Sequence, residues 1–161
     1  MTAAPDRVRA RLRCRLVADA ADRAGAAAIR HAVFVAEQGV FAGSDADDHD
    51  AGPDTLHVLG LVDGQPAGTV RLYPLDPGDP TGDWQGDRLA VLPAFRTTGL
   101  GAPLVRFAVA TAAAHGGRRM IAHVQPPNET FFRRLGWARR GAETYVGRPH
   151  LLMDIALVDR R

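Results

Sequence analysis

The sequence contains no lysine, a single cysteine and no long apolar run. All 20 of its Lys-or-Arg residues are arginine, which a GC-rich coding sequence explains without any functional requirement. One cysteine, Cys14, excludes a disulfide within the chain. No segment approaches the roughly 20 apolar residues of a membrane span, and the first residues lack the apolar core of a signal peptide. We therefore expect a cytoplasmic protein that has no membrane partner.

The balance of charges predicts no nucleic-acid partner. The formal net charge is +2, whereas proteins that bind nucleic acids concentrate basic residues on one face. The local exception is a row of alternating arginines near the N-terminus. Such alternation predicts an edge strand with a charged outer face, and a phosphate-binding role is the alternative. The row consists of Arg7, Arg9, Arg11, Arg13 and Arg15.

The length of 161 residues is typical of one domain, which we expect to span residues 1–161. Apolar periodicity predicts the order β-α-loop-β-β-β-α-β-α-β-β. The first helix is predicted over Ala24–Ala36 with Asp22 as its cap, and Asn128 is the predicted cap of the last helix. This order predicts an α/β (α+β) fold, with one mixed sheet covered by helices on both faces.

The segment Asp87–Gly101 has the sequence DRLAVLPAFRTTGLG and carries the clearest chemical signal. It predicts a strand, a loop with glycines and then the N-terminus of a helix, where unpaired N–H groups and the helix dipole attract an anion. Gly99 and Gly101 allow close approach of the backbone, and Arg96 can bind a phosphate oxygen. The spacing matches neither a P-loop nor a dinucleotide fingerprint.

Two segments together resemble a known family. Asp87–Gly101 is similar to the acyl-CoA-binding motif of the GNAT superfamily of N-acyltransferases, and NETFFRRLGW at Asn128–Trp137 is similar to its fourth-helix signature. The resemblance implies the GNAT fold, a mixed and mostly antiparallel central sheet with helices on both faces. RHAVFVAEQGVF at Arg30–Phe41, followed by an acidic loop, resembles a branch that includes the acetyltransferase associated with bacterial nitrilase gene clusters and proteins like acyl-homoserine-lactone synthases.

The resemblance implies acetyl-CoA as co-substrate and no metal. Coenzyme A pyrophosphate is expected on the amides of the glycine loop, which we define as Arg96–Ala102. The pantetheine arm is expected along Leu89–Val91 like an added strand, and an N–H near Val91 is expected to face the thioester oxygen. The cofactor-binding residues implied are Leu89, Ala90, Val91, Arg96, Thr97, Thr98, Gly99, Leu100, Gly101, Ala102, Asn128 and Phe132.

The family often uses a tyrosine in the fourth helix as general acid, and this sequence has Phe132 at that position. A thiol is a tolerable leaving group, so water is the alternative acid. The candidate catalytic bases are Asp87, Glu37 and His123, with His57 as a further histidine in a strand. Each has a structural alternative: a salt bridge for Asp87, surface solvation for Glu37 and a satisfied core position for the histidines.

The loop Gly39–Thr55 is rich in aspartate, at Asp45, Asp47, Asp48 and Asp50. Three interpretations stay open: a solvated loop, attraction of a cationic amine to the cleft, and Ca²⁺ coordination, for which the closing glutamate of an EF-hand is missing.

The predicted function is transfer of an acetyl group from acetyl-CoA to the primary amine of a small molecule in a ternary complex. One alternative is a longer acyl-CoA or an acyl carrier protein as donor. Another is a degenerate family member that binds acyl-CoA without turnover, which the phenylalanine at position 132 keeps open. A homodimer is expected by analogy with the family. The sequence indicates neither the acceptor nor the acyl chain length.

Overall fold

Within residues 9–157, which the computed structural model describes, seven strands form one sheet in the order β1-β2-β3-β4-β5-β7-β6. Neighbouring strands are antiparallel except β4 and β5. The predicted mixed, mostly antiparallel sheet is therefore confirmed. The strands are β1 (Leu12–Leu16), β2 (Leu56–Val62), β3 (Gln65–Pro74), β4 (Asp83–Val91), β5 (Arg119–Val124), β6 (Ala138–Tyr145) and β7 (Arg148–Ala156).

Three α-helices accompany the sheet: α1 (Ala20–Arg30), α2 (Gly101–Ala114) and α3 (Glu129–Arg134). Alternate residues of β2 belong to two separate apolar clusters, one with Ala26 and Ile29 of α1 and one with Leu104 and Ala108 of α2. Because successive side chains of a strand point to opposite faces, α1 and α2 cover opposite faces of the sheet, as predicted. We call these the α1 face and the α2 face.

The α2 face requires a glycine in β3. A Cβ atom on Gly68 would lie 2.8 Å from Leu104 Cδ1 and 3.0 Å from the carbonyl oxygen of Ala90. Helix α2 therefore packs closely on the sheet. The contact involves Leu104 in the first turn of α2, so it positions the N-terminal end of the helix, where the glycine loop lies.

The first helix differs from the prediction. It begins after Asp19, whose carboxylate accepts a hydrogen bond from the N–H of Asp22 at 2.8 Å, and the α-helix ends at Arg30. A π-helix continues from His31 to Glu37. The cap prediction for Asp22 is wrong because this side chain is buried and binds Arg15 of β1 instead. Val33 and Phe34 continue the apolar pattern of α1 in the sequence, and this short pattern does not distinguish a π-helix from an α-helix.

Of the arginine row, Arg13 and Arg15 lie on β1, an edge strand, as predicted; Arg9 and Arg11 precede the strand, and Arg7 lies outside the described residues. Asn128 occupies the N-cap position of α3, as predicted, but its side chain makes no capping hydrogen bond. Its side chain remains available for other contacts. None of the helices within residues 9–157 has the length and apolar character that a membrane crossing requires.

Strands β4 and β5 pair only over Asp83–Gln85 and Arg119–Ile121 and then separate. On its other side β4 has a bulge, because Thr69 pairs with Ala90 while Arg71 pairs with Asp87. The bulge contains Arg88, whose backbone has a φ of 53°, in the left-handed region that non-glycine residues rarely adopt. The separation leaves a gap in the middle of the sheet.

Candidate active site

A cavity of about 170 Å³ lies at the gap between β4 and β5. Some of its lining residues, such as Val105, Ala108 and Phe132, belong to the apolar cluster on the α2 face. Others lie on the α1 face. Phe34 belongs to the π-helix that continues α1, and His123 alternates along β5 with residues that point to the α2 face. The cavity therefore passes through the sheet and connects its two faces.

The glycine loop lies at the N-terminus of α2. A short 3₁₀-helix, Pro93–Thr98, precedes it, and Gly99 has a φ of 81°, so a glycine is favoured there. No side chain caps α2, which leaves its first N–H groups open to a ligand. Leu100 is fully buried, so its side chain does not contact a bound anion.

Arg96 and Glu37, which the sequence assigned to different roles, bind each other. The guanidinium of Arg96 donates to the Glu37 carboxylate at 2.8 and 2.5 Å, and its Nε donates to the carbonyl oxygen of Val91 at 3.1 Å. The hydrogen bond from Arg96 lowers the pKa of Glu37, which makes this carboxylate a weaker base. Glu37 does not line the cavity. Its pair with Arg96 connects the end of the π-helix to the glycine loop.

Asp87 lines the cavity and is held by an arginine. Arg71 Nε and Nη2 donate to its two carboxylate oxygens at 2.7 Å each, and Gln85 Nε2 donates at 3.3 Å. The Tyr73 hydroxyl lies 3.5 Å from the same carboxylate, and burial followed by the charge of Asp87 raises the pKa of Tyr73. The salt bridge weighed for Asp87 is thus present, with an arginine that is 1% exposed.

The acidic loop binds three arginines from three elements. Arg30 of α1 donates to Asp45 and Asp50 at 2.6 Å each, and Arg71 of β3 donates to Asp47 at 2.6 Å. Arg88 of β4 donates to Asp47 at 3.2 Å and packs 4.5 Å from the ring centroid of Phe41. We define the arginine–aspartate network as these three arginines together with Asp45, Asp47, Asp50 and Asp87.

The network decides among the interpretations of the acidic loop. Burial acts to raise the pKa values of Asp47 and Asp50, but hydrogen bonds from Arg71 and Arg30 outweigh it and lower both. A solvated position is wrong for Asp45, which is 6% exposed, and for Asp50, which is partly buried; Asp47 is paired but exposed, and Asp48 alone among the four is free of the network. Within residues 9–157 no group of three ligand-type side chains is arranged to hold a metal ion.

The three arginines of the network were missed at the level of sequence. Arg30 and Arg71 lie in an ordinary helix and strand, Arg88 lies in the bulge of β4, and their partners are 15 to 43 residues away. A signal existed at Arg71, which interrupts the apolar strand GTVRLY. A charged residue in a buried strand needs opposite charges, and the aspartate-rich loop offers the largest supply of them.

His123 lines the cavity on the opposite wall, and its Nδ1 is hydrogen-bonded to Glu143 Oε1. The ring of Tyr145 stacks on the imidazole, with centroids 3.9 Å apart and planes 6° apart. His57 does not line the cavity; burial lowers its pKa, and its Nε2 lies 3.9 Å from Asp50. Of the four candidate bases, the cavity therefore brings together Asp87 and His123.

Phe132, at the position of the usual acid, is buried in an aromatic cluster. Its ring contacts Phe131 and Trp137 edge-on, at centroid distances of 5.2 and 5.3 Å. The buried Nε1 of Trp137 finds no partner within the described residues. Asn128 lies beside this cluster on the cavity lining, with its amide unused by the helix.

Comparison with known proteins identifies the family to which this architecture belongs. Residues 26–137 match the model of the acetyltransferase (GNAT) family. The Bacillus subtilis (strain 168) protein named "Putative acetyltransferase BSU40680" is 31% identical over 128 residues, which cover 78% of this chain and 83% of that protein.

Solved structures agree with this match. The chain is similar to a structure described as a "putative N-acetyltransferase from Lactobacillus plantarum", with a TM-score of 0.77, 25% identity and coverage of 91% of this chain and 99% of that one. An aminoglycoside 6'-N-acetyltransferase complexed with coenzyme A shares the fold at 15% identity, with a TM-score of 0.74 and coverage of 92% and 98%. The predicted family is confirmed: the chain belongs to the acetyltransferase (GNAT) family and is an acyl-CoA-dependent N-acyltransferase.

Proposed function

We propose that the protein transfers an acetyl group from acetyl-CoA to the primary amine of a small molecule, with both substrates bound at once. The observation that carries this proposal is the cavity at the β4–β5 gap, which is lined from both faces of the sheet. A donor can enter from the α2 face while an acceptor enters from the α1 face. Their reacting atoms then meet inside the gap, and direct transfer needs no covalent enzyme intermediate.

The donor is proposed to bind along the gap. The unpaired N–H groups at the start of α2 suit the pyrophosphate, and the β5-facing edge of Leu89–Val91 has no strand partner within the described residues. That free edge can pair with the pantetheine amides, and Asn128 can reach the arm. The proposed donor site comprises Leu89, Ala90, Val91, Arg96, Thr97, Thr98, Gly99, Leu100, Gly101, Ala102, Asn128 and Phe132.

The acceptor is proposed to bind on the α1 face. Four carboxylates of the arginine–aspartate network face only three guanidinium groups, which leaves an excess of negative charge beside the cavity. This negative charge attracts the positively charged ammonium group of an amine substrate. Phe34, Phe41 and Tyr145 line the same opening with aromatic surface, which suits the carbon skeleton of an amine.

The proposal is tested first through the donor. At about 100 times its dissociation constant, acetyl-CoA is expected to stabilise the fold by roughly 2.7 kcal/mol, which raises Tm by a few degrees. Free coenzyme A and longer acyl-CoAs are measured beside it to rank the acyl groups. A panel of primary amines is then screened for release of free thiol from acetyl-CoA. Donor binding without thiol release from any amine would overturn the proposed transfer.

A second candidate function is binding of acyl-CoA without turnover. The aromatic cluster around Phe132 supports it, because no hydroxyl occupies the position of the usual acid. A sensor shows the same rise in Tm with acetyl-CoA but releases no thiol with any amine. A third outcome, stabilisation only by longer acyl-CoAs, would indicate a longer acyl group, and no stabilisation by any of them would favour an acyl carrier protein as donor.

Three narrower expectations stay predictions. Kinship with the branch associated with nitrilase gene clusters has no support beyond the segment Arg30–Phe41. A homodimer is expected by analogy and is checked by the mass of the particle in solution. The cytoplasmic location is checked by fractionation of cells.

A further inference from the structure

A histidine and a glutamate meet on the α1 face of the sheet, across the strand that separates them. His123 of β5 pairs with Leu152 of β7, and Glu143 of β6 pairs with His150 of β7. Leu152 and His150 are two residues apart and therefore point to the same face. The side chains of His123 and Glu143 thus reach over β7 and form the hydrogen bond between Nδ1 and Oε1.

Aromatic rings hold the imidazole in place. Tyr145 lies parallel to it at 3.9 Å, and His150 packs edge-on against Tyr145 at 5.5 Å. The side chain of His123 is 16% exposed and that of Glu143 is 30% exposed. A ring restrained on one side by a stack and at one nitrogen by a carboxylate has little freedom to rotate, so its other nitrogen keeps a fixed direction.

The hydrogen bond also selects the tautomer. A carboxylate only accepts hydrogen bonds, so the Nδ1 of a neutral His123 must carry the proton. The Nε2 atom then presents a lone pair. Within the part of the chain that the structure describes, no side chain hydrogen-bonds to this Nε2, and His123 lines the cavity.

We propose that His123 is the general base of the transfer and that Glu143 is its positioning residue. This inference rests on the proposed function and adds to it the group that accepts the proton. Of the other three candidates, His57 does not line the cavity, while Asp87 and Glu37 are each occupied by a guanidinium group, from Arg71 and Arg96. An anion held in this way has its lone pairs directed at an arginine, whereas the Nε2 of His123 is open to a substrate.

His123 Nε2 takes one proton from the substrate ammonium and passes it to solvent. The amine nitrogen then forms a bond to the thioester carbonyl carbon, and the C–S bond breaks with its electron pair on sulfur. The remaining excess proton on nitrogen ends on the thiolate. The products are the N-acyl amine and the free thiol of coenzyme A, with one proton released.

The other charged or titratable groups that line this cavity are Asp87, Arg88, Tyr145 and His150. Asp87 is neutralised by its arginine, and Arg88 donates to the carbonyl oxygen of Asp45 at 3.1 Å and to Asp47. The Nδ1 of His150 lies 3.0 Å from the carbonyl oxygen of Arg148. Glu143 is therefore the carboxylate whose removal acts directly on His123.

The positioning role is tested without any substrate. In protein labelled with ¹⁵N in its imidazole rings, the resonances of His123 are those missing from the His123→Gln spectrum. The expected neutral form at high pH carries its proton on Nδ1 in the wild type and loses this preference in Glu143→Gln. A proton on Nε2 in the wild type, or a preference unchanged in Glu143→Gln, would overturn the positioning role.

The catalytic role is tested with the primary amine that releases thiol fastest in the screen. His123→Gln is expected to lower kcat/KM by about 10²- to 10⁴-fold, with the affinity for coenzyme A unchanged. In Glu143→Gln kcat is expected to fall while the affinity for coenzyme A stays unchanged, because the carboxylate no longer holds the proton of the imidazole on Nδ1. A purely structural role for Glu143 leaves kcat per folded molecule unchanged.

Two matched variants serve as controls. His31→Gln removes an exposed histidine, and Glu129→Gln removes a glutamate that binds Arg133 on α3; neither residue lines the cavity. Both are expected to retain the wild-type kcat/KM and pH profile. Wild-type turnover in His123→Gln would overturn the base assignment. If no amine releases thiol, the proposed transfer fails on its own, while the tautomer measurement still decides whether Glu143 orients His123.

Discussion

The two sides of the cavity are encoded in different ways. The donor side is nearly continuous in sequence, because the free edge of β4, the glycine loop and the start of α2 all lie within residues 87–102. The acceptor side is assembled from residues that are far apart, such as Arg71 with Asp47 and His123 with Glu143. A motif can therefore identify the donor site, whereas the acceptor site depends on how distant elements pack.

The largest effect on the acceptor side is expected from removal of Arg71, the central cation of the arginine–aspartate network. Arg71→Leu leaves the side chains of Asp87, which is 10% exposed, and Asp47, which is 34% exposed, without their main partner. Loss of one partner of a buried ion pair typically costs about 3–5 kcal/mol. We expect a loss of this size in the free energy of unfolding, measured by urea denaturation.

The matched variant for this experiment is Arg118→Leu. The side chain of Arg118 is 71% exposed and binds Asp83 at 3.1 Å, so its pair is a surface pair. Such pairs contribute at most about 1 kcal/mol. Equal losses in the two variants would show that the network does not stabilise the acceptor side.

The second test concerns the contact between the two sides, the pair of Arg96 and Glu37. Arg96→Ala removes a proposed phosphate ligand, and a charge-assisted hydrogen bond contributes about 1.5–3 kcal/mol. We expect coenzyme A to bind roughly 10- to 100-fold more weakly, measured by calorimetry. Gly99→Val is expected to weaken binding as well, because the φ of 81° suits glycine.

Glu37→Gln is the counterpart of Arg96→Ala. It frees Arg96 from its carboxylate and leaves the guanidinium in place, so the affinity for coenzyme A should stay equal or rise. If Arg96→Ala and Glu37→Gln weaken binding equally, the pair acts as a structural unit, and Arg96 is not a phosphate ligand. Unchanged affinity in both Arg96→Ala and Gly99→Val would contradict the assignment of the glycine loop.

The third test concerns the packing that supports the donor side. Gly68→Ala places a Cβ atom against Leu104 and the carbonyl oxygen of Ala90, and the second contact is with backbone that cannot rotate away. Overpacking of this kind costs about 1–3 kcal/mol. We expect a lower free energy of unfolding and, because α2 must shift, weaker binding of coenzyme A.

Gly25→Ala is the control for that substitution. Gly25 lies within α1, where an added Cβ would be 3.9 Å from Pro66 Cβ, an ordinary contact. Replacing a helical glycine by alanine there should stabilise the protein by up to about 1 kcal/mol. Opposite signs in the two variants are expected, and equal signs would contradict the close approach of α2.

The sequence was sufficient for the features that local patterns encode. Alternation and turn residues predicted the sheet with helices on both faces, and the run at Asp87–Gly101 predicted a loop at a helix N-terminus. The partner of Arg96 was not predictable, because Glu37 lies 59 residues away. The π-helix was also missed, since a segment of only seven residues is too short for apolar spacing to distinguish it from a continued α-helix.

The candidate base shows the same limit. His123 was one of several possible histidines and carboxylates, and nothing near it in the sequence distinguishes it. Its distinction comes from Glu143 and Tyr145, which reach it only because β6 pairs with β7 and β7 with β5. Pairing of distant strands depends on the whole sheet, so a short window of sequence does not contain it.

The smallest effect is expected for His57, a candidate base that lies on the acceptor side, partly buried and outside the cavity. Burial lowers its pKa from 6.5; Asp50 and Asp87 oppose this, and Arg30 and Arg71 add to it. A histidine whose pKa is lower in the folded protein binds its proton more readily when unfolded, so its contribution to stability is present above about pH 6.5 and is lost as the pH falls. We therefore expect the free energy of unfolding to decrease from pH 7.5 to 5.5 by more in the wild type than in His57→Gln.

The measurement is urea denaturation at both pH values, with His31→Gln as the exposed control, for which the decrease should match that of the wild type. If the decrease is equal in the wild type and in His57→Gln, burial does not keep His57 neutral, and the imidazolium is compensated by Asp50.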